Sequence, residues 1–159
     1  TRRWLWRKIM DINLDFPLGS SIINLVLSHR NLATKEIRKL GLYPGQDLIL
    51  VELLRKDNRS QNELVKALCV DHSTIAKSVK RLLKAEIINA HKSTEDKRVT
   101  IISLTVKGKA LAIQAAKVWN DVEKTAFKDF SPADIKEFMQ YSQHIAKNFT
   151  DRSLELNDR

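Results

Sequence analysis

The sequence predicts a mainly α-helical fold interrupted by one small β-hairpin, and three observations carry that prediction. Apolar side chains recur at helical spacing over residues 18–40, around 48–54, through 60–85 and again beyond 105. Helix-start signals stand ahead of two of the segments, Ser60-Gln61-Asn62-Glu63 and Ser131-Pro132-Ala133-Asp134. Two β-branched runs, Ile87 to Lys92 and Arg98 to Leu104, flank the polar Ser93-Thr94-Glu95-Asp96-Lys97, the pattern of a hairpin with a longer loop. The order is α-α-α-α-β-β-α-α.

In the first helix, Leu18, Ile22, Leu25 and Leu32 form one apolar row, and Ile23, Val26, Ile37 and Leu40 a second. Two rows make a face wider than one neighbour needs. Gly41 is its stop. Tyr43-Pro44-Gly45-Gln46 opens a second helix with Pro44 in its first turn, an inner face of Leu48, Val51, Leu54 and Leu53, and an end at Lys56-Asp57-Asn58. The third helix, over residues 60–68, starts with a capping box and turns Leu64 and Leu68 inward. Cys69-Val70 makes the turn, and Asp71 caps a fourth helix that runs to Ala85 with Ile75, Val79 and Leu82 inward. After the hairpin, Thr105 starts a long helix with a stripe of Leu111, Ala115, Val118, Val122 and Ala126. The last helix carries Ile135, Phe138, Ser142, Ile145 and Phe149 on one side, and residues 151–159 form a polar, frayed tail. Long apolar stripes flank a small central unit, and packing them against a second copy is the simplest way to bury both, giving a two-fold homodimer.

The 159 residues favour one domain, with an N-terminal arm at 1–17, a winged unit at about 42–104 inside 18–150, and the tail after it. A net charge of +9 favours a polyanionic partner. No apolar run approaches the ~20 residues of a membrane span, and the first residues lack a signal-peptide core, so a cytoplasmic protein without a membrane partner is expected. The single Cys69 excludes an internal disulfide framework.

The fourth helix segregates its chemistry. Opposite the inward row stand Thr74, Lys77, Arg81 and Lys84, with Ser73 and Lys80 beside them. A helix that reads duplex DNA needs cations for phosphates, short polar groups for base edges and no bulky apolar group on that face. Ser73, Thr74 and Lys77 are placed nearest bases, with His72 as a further polar group, and Lys80, Arg81 and Lys84 on phosphate. Ser60, Gln61, Ser78, Lys92 and Lys97 complete the candidate DNA-binding set with Arg98. Asp96, two residues away on the same side of an extended strand, braces the Arg98 guanidinium.

These residues resemble the MarR-type winged helix-turn-helix regulators (the multiple antibiotic resistance regulator family) over about residues 18–150. The matching parts are Pro44-Gly45-Gln46, the helix-turn-helix of residues 60–83, Asp96-Lys97-Arg98 as the family's D-x-R, and Leu104-Thr105 with Gly108 as its L-T-x-x-G. The resemblance implies a homodimer with interlocking terminal helices, a fourth helix (Asp71 to Ala85) in the major groove and a wing arginine, Arg98, in the flanking minor groove. It implies a sequence-specific transcriptional regulator, expected to be a repressor, under small-molecule control and without a cofactor. Two positions depart from the family: Glu86 replaces a usual Gly, and Asn89-Ala90 replaces a common Arg.

Blander readings stand beside these. A basic helix face is often only solvated surface, and a winged module can instead bind an acidic protein partner. A nuclease built on Glu95 and Asp96 lacks companion carboxylates. His29, His72, His91 and His144 have no metal-ligand spacing. Cys69 is read as a small buried hydrophobe rather than a redox switch. Trp4 and Trp6, among Arg2, Arg3, Arg7 and Lys8, are read as an arm docking on the dimer, and Trp119 as packing.

Overall fold

The computed structural model describes residues 15–157, so the Trp4/Trp6 arm lies outside the described residues. Its contacts group the chain into two units that part between Val122 and Glu123. The first contains α1 (Pro17–Lys39), α2 (Gln46–Arg55), β1 (Arg59–Ser60), α3 (Gln61–Leu68), α4 (His72–Lys84), β2 (Ile88–Lys92), β3 (Thr100–Leu104) and most of α5 (Val106–Ala126). The second holds the end of α5 and α6 (Pro132–Asn157).

Pro17 opens α1, and Arg38 and Lys39 face the negative end of its dipole. Gly41, at φ +75°, takes the left-handed turn that ends it. Of the two apolar rows expected here, only Ile37 is buried, with Ile22, Leu32 and Leu40 half-buried; Leu18, Ile23, Leu25 and Val26 are all at least half exposed.

The start of α2 lies later than Pro44. Gly45 is its N-cap at φ +94°, and its backbone N–H donates to Asp47 Oδ1 at 2.8 Å. Its buried residues are Gln46, Asp47, Ile49, Leu50 and Leu53, whereas Leu48 is exposed and Val51 and Leu54 are half-buried. Of the expected inner face only Leu53 is buried, and the core side runs instead through Ile49 and Leu50. Every residue from Leu48 to Leu54 except Glu52 is apolar, so periodicity alone could not choose a side.

A short strand not anticipated from sequence, β1, joins the hairpin. The sheet order is β1-β3-β2, with Arg59 opposite Ile102 and Ala90 also opposite Ile102 from the other side. Arg59 is buried and ion-paired with Glu52, tying β1 to α2. Asp57 Oδ1 accepts from Leu104 N at 3.0 Å and anchors the same corner.

The caps of α3 and α4 are those the sequence predicts. Ser60 Oγ accepts from Glu63 N at 3.2 Å while Glu63 Oε2 accepts from Ser60 N at 2.8 Å. Asp71 Oδ1 accepts from Thr74 N at 2.9 Å. Ile75, Val79 and Leu82 are buried, in one cluster with Leu50, Leu53, Leu64, Ile88 and Ile102. At the far end of α4 the chain makes a Schellman turn: Ile87 N donates to Leu82 O at 3.0 Å, with Glu86 between them at φ +56°. The residue standing in place of glycine therefore holds a glycine conformation.

Cys69 is corrected by the structure. It is the left-handed C-cap of α3 (φ 52°, ψ 39°) and is exposed, because a turn residue in that conformation points away from the helix it ends.

The start of α5 explains the L-T-x-x-G pattern. Thr105 Oγ1 accepts from Gly108 N at 2.9 Å and lies 2.9 Å from Glu86 O and 3.0 Å from Ile87 O, to which its hydroxyl donates. Gly108 is buried, and a Cβ there would fall 1.9 Å from Ile87 O. Along the expected stripe, Ala115 and Val122 are buried and Leu111 and Val118 half-buried; Ala112 adds to it, and Ala126 is exposed.

In the second unit, Ser131 caps α6: its Oγ accepts from Asp134 N at 3.2 Å, and Asp134 Oδ2 accepts from Ser131 N at 3.0 Å. Phe127 meets Phe138 edge-on at 5.4 Å. No residue of α6 is buried: Ile135 and Ser142 are half-buried, and Phe138, Ile145 and Phe149 are exposed. The helix continues to Asn157 where a frayed tail was expected. Ion pairs one turn apart, Lys147–Asp151 and Arg152–Glu155, extend it.

Candidate nucleic-acid interface

Burying Ile75, Val79 and Leu82 forces the opposite side of α4 outward, and the structure places His72, Ser73, Thr74, Lys77, Lys80, Arg81 and Lys84 there, all exposed. Ser78 is half-buried at the border. No acidic side chain lies within α4 itself, so its outer face carries positive charge from Lys77 to Lys84.

Arg81 has a partner that a merely solvated arginine lacks. Its guanidinium lies over the Tyr43 ring, 5.4 Å from the centroid. Tyr43, in the turn before α2, is itself largely exposed. This cation–π contact was missed from sequence, since the two residues are far apart along the chain and no local pattern links them.

Asp71 does more than cap. Its Oδ1 also accepts from the Ser73 hydroxyl at 2.6 Å, and its Oδ2 from the Thr74 hydroxyl at 2.7 Å. These bonds, the Ser73 one foremost, hold its carboxyl far below the usual carboxylate range. The D-x-S-T spacing was the available signal, since it places hydroxyls at the second and third helical positions behind an acidic cap.

In the wing, the Arg98 side chain is 92% exposed and is gripped at its base by Asp96. Arg98 N and Nε donate to Oδ1 at 2.9 and 3.2 Å, and Nη2 to Oδ2 at 3.3 Å. The Arg98 side chain, and then its backbone N–H, lower the Asp96 pKa. The bracing is as expected, but its setting is not. Residues 96–98 form a turn before β3 rather than an extended strand, so the carboxylate reaches forward over the turn to both the backbone and the side chain. So exposed a pair adds little stability; it sets the direction of the guanidinium.

Ser60, Gln61 and Arg98 come together on a shallow cleft of about 200 Å³ between the start of α3 and the wing. The Ser60 hydroxyl there is already engaged in the capping box. Lys92 Nζ donates to Thr100 Oγ1 at 3.1 Å across the hairpin, and Lys97 is exposed.

A second feature lies within the first unit, away from α4. A cavity of about 160 Å³ is lined by His29, Ala33 and Ile37 of α1, by Asp47 and Leu48 of α2, and by Trp119 of α5. Trp119 Nε1 donates to the buried Asp47 Oδ2 at 3.0 Å, and its ring lies 5.6 Å from that of His29. Trp119 is thus both packing and cavity wall. Among the described residues no helix is long and apolar enough to cross a membrane.

Two helices joined by a tight turn, the second with a polar outer face, and an antiparallel hairpin beside it define a winged helix-turn-helix protein. Comparison with known proteins agrees. The family model described as the MarR family matches residues 42–100. The HTH-type transcriptional regulator BilQ of Clostridium symbiosum is 26% identical over 112 residues, 70% of this chain and 78% of that one. An uncharacterized HTH-type transcriptional regulator of Staphylococcus aureus is 29% identical over 92 residues, 58% of this chain and 63% of its own length. A crystal structure of MarR superposes with a TM-score of 0.68 at 27% identity, over 92% of this chain and 98% of that one. A mutant E. coli MarR complexed with operator DNA gives 0.74 at 20% identity, over 86% and 99%. Bordetella bronchiseptica BpsR, described as regulated in DNA binding by 6-hydroxynicotinic acid, gives 0.71 at 19%, over 82% and 98%. Over residues 42–100 the chain is similar to the MarR family, and the relatives it resembles are transcriptional regulators.

Proposed function

We propose that this chain is a sequence-specific repressor that binds pseudo-palindromic duplex DNA as a homodimer. The observation that carries the reading is the outer face of α4, cationic from Lys77 to Lys84, with a second guanidinium, Arg98, held out from the wing beside it. In the bound state α4 enters the major groove. Ser73, Thr74 and Lys77 face base edges, with His72 near them, while Lys80, Arg81 and Lys84 neutralise phosphates. The Tyr43 ring limits the freedom Arg81 loses on contact. Arg98 enters the flanking minor groove and responds to its width and potential. Gln61, Lys92 and Lys97 add backbone contacts at the edge, and Ser60 and Ser78 act by holding the helices that carry them. The operator complex formed by a protein of the same fold supports this placement.

Dimerisation is supported by apolar surface left uncovered on two helices taken separately. On α1, Leu18 is 81% exposed, and on α6, Phe149 is 61% exposed, each among further apolar neighbours. A two-fold pair places half-sites about one helical turn, ~10 bp, apart. The cavity beside Trp119 offers an aromatic wall, an imidazole and a carboxylate to a small organic effector. It touches α1, α2 and α5, so an occupant that prefers one arrangement of these helices changes the spacing of the two recognition helices. A cytoplasmic location accords with this role.

The test is selection of bound sequences from a random duplex pool, followed by titration at several salt concentrations. A two-fold consensus is expected. Lys80, Arg81, Lys84, Lys92 and Lys97 of each protomer make roughly ten phosphate contacts per dimer, which predicts a slope of log affinity against log salt of about −9. A pool without consensus, a flat salt response, or a solution mass fixed at one chain overturns the reading.

A further inference from the structure

The tip of α4 presents three oxygen-bearing side chains, Asp71, Ser73 and Thr74, and their mutual bonds fix where the hydroxyl protons lie. A carboxylate offers only lone pairs, so in the 2.6 Å contact from Ser73 and the 2.7 Å contact from Thr74 the hydroxyl is the donor. Each hydroxyl has one proton and two lone pairs. With the proton committed to Asp71, only lone pairs remain for a ligand. All three residues are exposed, so these lone pairs are open to a partner. The carboxyl stays ionised at neutral pH, since the same bonds stabilise its charged form.

We propose that Asp71 is a specificity-determining positioning residue: by taking the Ser73 and Thr74 protons it makes the tip of α4 an acceptor-only surface, which selects adenine N6 or cytosine N4 amino groups on one strand of each half-site. The inference deepens the duplex-binding reading and rests on it. In the major groove the amino groups of adenine and cytosine are the hydrogen-bond donors, whereas guanine N7 and O6, adenine N7 and thymine O4 are acceptors. An acceptor-only tip facing guanine or thymine sets lone pair against lone pair. Without Asp71 each hydroxyl could rotate to donate or accept and would discriminate poorly. The polarity reverses one turn along the helix, where the Lys77 ammonium can only donate and so favours guanine. The half-site is therefore expected to pair an amino-bearing base at the tip with a neighbouring guanine.

The experiment compares pool selections by the wild-type chain, by Asp71→Asn, and by the double variant Ser73→Ala/Thr74→Val, with melting curves for each. Asparagine caps a helix about as well as aspartate. Its amide N–H₂ faces one hydroxyl, which must then accept and turn its proton outward. Base positions at which the double variant loses preference are those read by the tip. In the wild type these should accept adenine and cytosine alike on the same strand, favoured about tenfold over guanine and thymine there, a division by amino group and not by purine against pyrimidine or A·T against G·C. In Asp71→Asn that division should collapse or invert, at those positions and no others. A wild-type preference at those positions that divides purine from pyrimidine or A·T from G·C, an unchanged preference in Asp71→Asn, or a double variant with the wild-type consensus each overturns the proposal. If Asp71→Asn melts too early to assay, the way the wild type divides the four bases at the positions marked by the double variant decides it. A wild-type selection without any consensus overturns the duplex-binding reading itself, a result distinct from all of these.

Discussion

Replacing Gly108 by alanine tests how closely α5 approaches the junction between α4 and the wing. The added Cβ would fall 1.9 Å from Ile87 O and 3.0 Å from Ile87 C, where ordinary contact starts near 3.4 Å. Both are backbone atoms, so no rotamer change relieves the overlap. The α5 backbone and the Ile87 peptide must part by about 1.5 Å. Overpacking costs roughly 1–3 kcal/mol, and a backbone clash belongs at the upper end. Moving Ile87 also strains the Thr105 hydroxyl and amide bonds at its carbonyl, at about 1 kcal/mol apiece. Alanine's better helix propensity returns about 1 kcal/mol. The net loss is about 4 kcal/mol, or roughly 8–16 °C in Tm for a chain of this size. The assay is urea and thermal unfolding at one fixed protein concentration, because any self-association would make the midpoint concentration-dependent. Gly19→Ala is the control. Gly19 lies in α1 with nothing within 4 Å of its added Cβ, so the same substitution should stabilise by up to about 1 kcal/mol. Duplex affinity of Gly108→Ala should fall too, since β2 begins next to the displaced peptide. A Gly108→Ala chain as stable as the wild type would refute the close approach and the account of the L-T-x-x-G pattern built on it.

Three further outcomes follow from particular residues. Glu86→Gly removes a side chain from a left-handed position at φ +56° and should raise stability by up to about 1 kcal/mol in urea unfolding; a loss of stability would mean that the Glu86 side chain makes a compensating contact. Asp96→Asn removes one negative charge from the wing yet should weaken duplex binding severalfold, because Arg98 loses its charged brace; tighter binding in a titration would show that bulk charge outweighs direction. The pKa of Glu63 is lowered in the fold, chiefly by the backbone N–H of Ser60 and then by its hydroxyl. Its contribution to stability is therefore complete above the unfolded value of about 4.3 and is lost as pH falls through the lower native pKa. Unfolding measured from about pH 6 downward should show wild type and Glu63→Gln converging in acid, and a constant difference would exclude the linkage.

What could be read from the sequence was what depends on near neighbours. The Ser60–Glu63 box, the Asp71 cap and the Ser131–Asp134 cap were legible because a cap is satisfied within three residues. The face of α4 was legible because apolar and cationic residues are separated there. In α2 they are not: residues 48–54 are apolar nearly all round, so the side that meets the core was decided by Gly45 and by the Asp47–Trp119 bond, which spans 72 positions. β1 is two residues long and has no period to detect. The same division runs through the candidate interface. The types and spacing of the cations showed which face of α4 turns outward, but its details arise elsewhere. Arg81 is steadied by a ring from the turn before α2, and Arg98 by a carboxylate in a turn that read as strand. Glu86 and Gly108 join the two levels. Glu86 stands against the local rule at a left-handed position, and Gly108 looks dispensable until Ile87 is set against it. Both lie where α4 hands over to the wing, the one place where the orientation of the reading helix and of the Arg98 finger is set by a single stretch of backbone. Local propensity is overridden there, and a small change in that turn would move α4 and the wing together.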